Sequence, residues 1–398
     1  MDHLHNLFYS WSSANNFGAD WTILKGFLIT QAPETFFSWL FNSLAIGEKI
    51  SFVLWFFIIG VSMYIFVKNF FPQKKFWIFR LFSSTFYMYN FFLLQGWFIA
   101  ERAKFSLFAV IPLGTLLIYK TLTKEYPILK GAILFSLISF LLNAGGNPTF
   151  YGALILVYGI TFIYLTIINT LRNGYWEIVY SLKLGIAFTA AFLAVNAYWI
   201  LPQIYLLLNS YGSNLVTVGG IGGVIGWESV VTKNASFINL LRLQGMPDWY
   251  NNNLHPYSFI FIKNPFLIIS SFIFPLILLF GLFYHQHLSI EKKTIKLIIL
   301  LIFLLLFGFI FTAGSHPPLG FLYILFIKYI PGFAVFRSAF YKFGEVLWFS
   351  YIILLGFYLN LLLLKFVKSK ILYIFLGAFS IFFLLIYHSP FFNGKFFV

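Results

Sequence analysis

Only 11 acidic residues occur in this 398-residue chain, and their positions narrow what it can do. Glu125, Glu177 and Glu291 stand beside Lys or Arg in short polar turns and read as solvated partners of those cations. Asp2, Asp20, Glu34, Glu48, Glu101, Glu228, Asp248 and Glu345 fall in, or at the edges of, a second set of polar segments. A carboxylate within hydrogen-bond reach of a hydroxyl can take its proton, a capacity that all eight share. Arg102, Lys104, Arg242, Arg337 and Lys342 lie in the same set. Arg presents a planar fork to phosphate oxygens and Lys a point charge, so these five are candidate phosphate contacts, with Glu228 and Asp248 beside them. Plainer roles compete: an N-cap for Asp20 before Trp21-Thr22-Ile23, ordinary headgroup contacts for each cation, and an ion pair with Glu345. Trp249, with Trp227 and Tyr250, offers a ring for stacking on a sugar, although Trp and Tyr also form the belt at membrane surfaces.

These residues need a scaffold, and the rest of the chain supplies one that is strongly apolar. Apolar residues make up 61% of the sequence and charged residues 9%, more than a water-soluble fold of this length can hide. Ten apolar stretches are predicted to be membrane helices: 49–67, 78–100, 105–120, 128–143, 150–168, 181–208, 266–284, 295–311, 346–366 and 371–387. Most approach or exceed the ~20 residues needed to cross ~30 Å of hydrocarbon. The expected fold is therefore an all-α, polytopic membrane bundle of about ten transmembrane helices.

The formal charge of +15 is spread over short loops, which argues for membrane orientation and against nucleic acid. With residues 1–48 outside, the inner turns hold Lys68, Lys74, Lys75, Arg80, Lys120, Lys124, Lys130, Arg172, Lys183, Lys292, Lys293, Lys296, Lys365, Lys368 and Lys370, 15 of the 26 cations. The long segments are then extracytoplasmic, and both termini face outward. Residues 1–48 form an outward N-terminal segment, 49–208 helices one to six, and 209–264 an extracytoplasmic loop. Residues 265–312 are helices seven and eight, 313–345 an outward re-entrant or interfacial segment, 346–388 helices nine and ten, and 389–398 an outward tail. Within 313–345 the apolar run 319–329 is too short to span and sits between prolines. Trp199 and Pro202 predict a kink near the outer end of the sixth helix. Export of residues 1–48 leads to the expectation that a further membrane helix precedes Met1.

Several functions are disfavoured on the same grounds. Zero cysteines exclude disulfides and thiolate metal sites, and the seven histidines show no metal spacing. No acidic residue falls at the middle of a stretch, against a coupled pump or carrier. The glycine cluster Gly219-Gly220-Ile221-Gly222-Gly223 lacks the Lys-Ser/Thr of a phosphate-binding loop.

A series of short motifs, in order, gives a resemblance. It runs from Trp11, Gly18 and Pro33 through Gly60-Val61-Ser62-Met63-Tyr64, Tyr87-Met88-Tyr89-Asn90 and Ile111-Pro112-Leu113. It continues with Gly146-Asn147-Pro148, Asn196-Ala197-Tyr198-Trp199-Ile200-Leu201-Pro202, Leu241-Arg242-Leu243-Gln244-Gly245, Pro331-Gly332-Phe333, Phe336-Arg337-Ser338 and Lys342-Phe343. Over nearly its whole length the chain resembles the membrane part of GT-C-type glycosyltransferases, in particular relatives of the arabinofuranosyltransferase membrane domain. The resemblance implies a GT-C-like fold in the cell membrane and sugar transfer from a polyprenyl-phosphate donor to an extracytoplasmic glycan, lipid or glycoprotein acceptor. It also implies a carboxylate base in the first outward loop, here Asp2 or Asp20, often with a divalent metal ion (Mg or Mn), although no cofactor is required by the sequence itself. Family members usually begin with a membrane helix and an acidic motif, and this sequence starts after that point. A flippase or transporter of lipid-linked sugars, and a non-catalytic scaffold, are the alternative expectations.

Overall fold

A computed structural model describes residues 11–12, 19–20, 26–98, 101–145, 147–208, 220–250, 258–284 and 292–389. The described chain is helical, apart from a two-residue antiparallel pairing of β1 (Trp11–Ser12) with β2 (Ala19–Asp20). Among the described residues, eight helices are long and apolar enough to cross a membrane: Leu44–Phe70, Arg102–Leu122, Pro148–Asn173, Trp176–Tyr205, Pro265–Phe283, Thr294–Ala313, Ala339–Phe366 and Lys370–Tyr387. The protein is thus a multi-pass helical membrane bundle. A helix closes its own backbone hydrogen bonds, so a lone apolar segment can enter hydrocarbon without orphaned polar groups.

Two of the ten expected helices take another form. Stretch 78–100 is broken into α3 (Trp77–Met88) and α4 (Phe91–Phe98). The cause is Asn90, which is 1% exposed. Its Nδ2 donates to the Tyr87 carbonyl at 2.8 Å, and its Oδ1 accepts from Leu93 N–H at 2.9 Å. One side chain thereby ends a helix and caps the next, competing with the backbone for its own hydrogen bonds. Stretch 128–143 becomes α6 (Ile128–Leu141), 14 residues and ~21 Å long, short of a full crossing. The polar-looking segment 1–48 contains a helix too: α1 (Leu28–Phe41), followed at once by α2 (Leu44–Phe70).

The chain divides into two compact units, residues 1–62 with 101–218 and residues 63–100 with 219–398. In the first, α5 (Arg102–Leu122) is the central helix. It packs on α1, α6, α7 (Tyr151–Asn173) and α8 (Trp176–Leu208), the last running on through Pro202 as helix. In the second unit the short helices α9 (Gly220–Val231), α10 (Phe237–Leu241) and α11 (Ser258–Lys263) precede α12 (Pro265–Ser271) and α13 (Ile273–Phe283). Then come α14 (Lys292–Ala313), α15 (Gly320–Tyr329), α16 (Ala339–Phe366) and α17 (Lys370–Tyr387). Here α16 is central, buried almost continuously from Ala339 to Asn360 and packed on α3, α13, α14 and α17. Its approach to α14 depends on Gly308, where a Cβ would stand 2.8 Å from the Leu347 Cα. Small residues at such crossings let backbones meet, which drives packing where lipid is as apolar as the side chains. The short apolar run near residue 320 is α15, ten residues and unable to span, as expected.

Candidate functional site

In the first unit, charged side chains collect at the N-terminus of α5. Glu101 occupies the N-cap position, and Arg102 and Lys104 fall in the first turn. Cations there oppose the positive end of the helix dipole, so the arrangement needs compensating anions or a function. Glu34, from α1, forms an ion pair with Arg102 in which both side chains are 16% exposed. Glu101 accepts from Asn147 Nδ2 at 3.2 Å, while Asn147 Oδ1 accepts from the Thr149 hydroxyl at 2.7 Å. Lys104 is 2% exposed. The N-terminal stretch, the Glu101 turn and the Asn147 turn therefore converge.

An apolar groove of about 670 Å³ runs along the same unit between α5, α6, α7 and α8, with walls that include Val110, Phe135, Gly159 and Phe188. At one end it reaches Pro148, Tyr151 and Trp199. Pro148 directly follows Asn147 of the charged cluster. Here polar groups form a neutral network around Asn143. Its Nδ2 donates to Tyr198 Oη at 2.7 Å and Asn196 Oδ1 at 3.2 Å, and its Oδ1 accepts from Tyr151 Oη at 3.0 Å. Trp199 Nε1 donates to Asn196 Oδ1 at 2.9 Å, and its ring stacks on Tyr151. The volume suits a ligand-sized apolar body, and the polar end suits the place where such a body carries its head.

The second unit gathers a different set around the N-terminus of α16. Glu228 of α9 is fully buried, and its Oε2 accepts from Ala339 N–H at 3.0 Å. The Ser315 N–H also favours the anion, yet Oε1 closes no hydrogen bond of good geometry with the described residues. Burial outweighs both contacts and pushes the carboxyl up to about 8. Gly314, at φ +53°, lies so close that a Cβ would meet Glu228 Oε1 at 2.1 Å. Thr232 and Ser315 share a hydroxyl contact of 2.8 Å, and Trp227 Nε1 donates to Ser338 Oγ at 3.0 Å. Glu228 therefore clasps α9 to the 313–319 turn and to α16.

The remaining candidates are distributed as follows. Asp248 accepts from the Tyr341 hydroxyl, in the turn of α16 that also holds Lys342. Arg337 stands two residues before Ala339, where that helix begins, and is half-buried. Arg242 donates from Nε to Ser271 Oγ at 2.6 Å and lies over the Phe272 ring at 4.9 Å; burial lowers its pKa. Trp249 is 1% exposed, with its ring against Phe91 and Phe261, so its faces are occupied by packing. Asp20 is in β2, its backbone paired with Trp11. Asp2 lies outside the described residues. Arg102, Lys104 and Asp20 belong to the first unit, and the other described candidates to the second. Glu34, Glu101 and Asn147 complete the first cluster without having been singled out as site residues. The sequence signal was polarity for Glu34 and Glu101, and for Asn147 its place in Gly146-Asn147-Pro148.

Among the described residues no three carboxylate, imidazole or thiolate groups converge as metal donors. The divalent ion implied by the resemblance finds no such donor set there. No protein-family model, curated protein or solved structure matches this chain.

Proposed function

We propose that this protein is a membrane glycosyltransferase that moves a sugar from a polyprenyl-phosphate donor to an acceptor hydroxyl on the extracytoplasmic side. The carrying observation is the union, within one unit, of an apolar groove and a charged helix N-terminus joined through consecutive residues Asn147 and Pro148. A donor of this class has those two parts, an isoprenoid chain and a phosphate. Backbone N–H groups at a helix start suit an anion, and Arg102 and Lys104 add charge where a phosphate would arrive.

The chemistry asks little beyond this. A carboxylate, for which Asp20 is the described candidate and Asp2 the other, takes the proton of the acceptor hydroxyl. The acceptor oxygen bonds to the anomeric carbon as the bond from that carbon to the phosphate oxygen breaks. The lipid phosphate leaves with added negative charge, which prepositioned cations stabilise. Arg102 and Lys104 are favoured for that role, and Arg337 and Lys342 of the second unit are the other candidates.

The test uses the full chain in liposomes with a synthetic polyprenyl-phosphoryl sugar and a hydroxylated acceptor, reading glycosidic product by mass. The proposal expects product, and loss of at least 100-fold on Arg102→Ala at unchanged yield of folded protein. Donor binding without product would replace the transferase by a lipid-sugar carrier or scaffold. Full transfer by Arg102→Ala would remove that residue from the phosphate site.

A further inference from the structure

Helix α1 is amphipathic in the opposite sense to a helix on a water-soluble protein. Ala32, Phe36, Trp39 and Leu40 recur at i, i+4, i+7 and i+8, which puts them on one face. All four are exposed, Phe36 at 53%, Trp39 at 60% and Leu40 at 53%. The polar residues point the other way. Thr30 is fully buried, Gln31 Oε1 and Ser38 Oγ are shielded from solvent, and Glu34 meets Arg102 of α5. In water this arrangement would be unfavourable on both faces, wetting large apolar surfaces while desolvating polar atoms. Against hydrocarbon the apolar face is at home and the polar face belongs on protein.

The connection to α2 says which medium covers the exposed face. Asn42, in the left-handed region at φ 46°, ends α1, and Ser43 N–H donates back to the Ser38 carbonyl at 3.1 Å. A Cβ on Gly47 would come within 2.5 Å of Ser38 N, so the start of α2 lies directly on the end of α1. Leu44 and Ile46, opening this membrane-spanning helix, are exposed at 69% and 44%. The apolar face of α1 thus continues into the lipid-facing surface of a span. At 14 residues, ~21 Å, α1 is too short to cross.

We infer that α1 is a membrane-interface helix whose Phe36, Trp39 and Leu40 face is seated in bilayer lipid at the boundary of acyl chains and headgroups. Aromatic side chains favour that depth. The consequence is that Glu34, and with it Arg102, is held from the lipid side.

The chain contains no cysteine, so single spin labels can be placed at will. Phe36→Cys, Trp39→Cys and Leu40→Cys would be labelled in the full chain in liposomes and probed with oxygen and with a water-soluble nickel chelate. Ala32→Cys reads the same face without removing an aromatic anchor, should those variants fail to fold. Oxygen access at least fivefold above nickel access is expected, as at Ile163→Cys on the exposed side of a span and opposite to Gln73→Cys in a polar turn. Nickel access equal to that of Gln73→Cys would overturn the inference by setting the face in water. Access for neither reagent would overturn it equally, because the face would then be covered by protein.

Discussion

Replacing Glu228 by Gln should change how the stability of the protein depends on pH, with a sign and size that follow from the clasp at α16. In the folded chain this carboxyl titrates at about 8, against 4.5 for an ordinary Glu. Between those values the folded chain keeps a proton that the unfolded chain gives up. Stability therefore falls as pH rises from about 4.5 to about 8, and levels off beyond. At ~1.4 kcal/mol per tenfold, the gap sets a ceiling of about 5 kcal/mol. The positive end of the α16 dipole, together with water entry on loosening, reduces this to about 2–4 kcal/mol. For a unit of roughly 200 residues that is about 5–10 °C in a denaturation midpoint. Glu228→Gln keeps the shape and the acceptor for Ala339 but cannot ionise. Thermal scans of both proteins in the same micelles at pH 5 and pH 9 should coincide within about 2 °C at the lower pH and separate at the higher, with Gln the more stable. Other titrating groups cancel, being common to both proteins. Parallel curves from pH 5 to 9 would refute the reasoning, since the buried carboxyl would then have an ordinary affinity for its proton.

Other outcomes follow from single contacts. Gly159 lines the groove and a Cβ there meets nothing within 4 Å, so Gly159→Leu should fill the groove without strain. Transfer from a long-chain donor should fall at least tenfold while a short-chain donor is spared, and stability should hold or rise by the ~1 kcal/mol that a helix gains on losing Gly. Asn90→Ala removes both hydrogen bonds at the α3–α4 break and should destabilise by about 1–2 kcal/mol, read in the same scans. A double-mutant cycle on Glu34→Ala and Arg102→Ala should give a coupling of about 1 kcal/mol, weakened by salt because the pair is not fully buried.

Much of the architecture follows from local sequence, because a long apolar run has essentially one structure available in lipid. The exceptions trace to particular side chains. Asn90 shares stretch 78–100 with Arg80, Ser83, Ser84, Thr85 and Gln95, and composition does not mark which of them turns its side chain back on the Tyr87 carbonyl and the Leu93 N–H. Helix α1 was hidden by composition: Gln31, Pro33, Glu34, Thr35 and Ser38 give its segment a polar look, although Phe36, Trp39 and Leu40 carry helical spacing. Among the candidate site residues, clustering near α16 was partly legible for Arg337 and Lys342, which are neighbours in sequence. The Glu34–Arg102 pair joins residues 68 positions apart, and nothing local announces it. Trp249 shows the converse. Its ring type suits a sugar, but Phe91 and Phe261 arrive from distant segments and enclose it.

The transferase account is tested most directly by a density map of the full chain, in a lipid nanodisc, with a non-hydrolysable polyprenyl-phosphoryl sugar analogue. The account predicts isoprenoid density along Gly159 and Phe188 and a phosphate within hydrogen-bond reach of Arg102 or Lys104. An analogue bound elsewhere, with the groove filled only by bulk lipid, would contradict it.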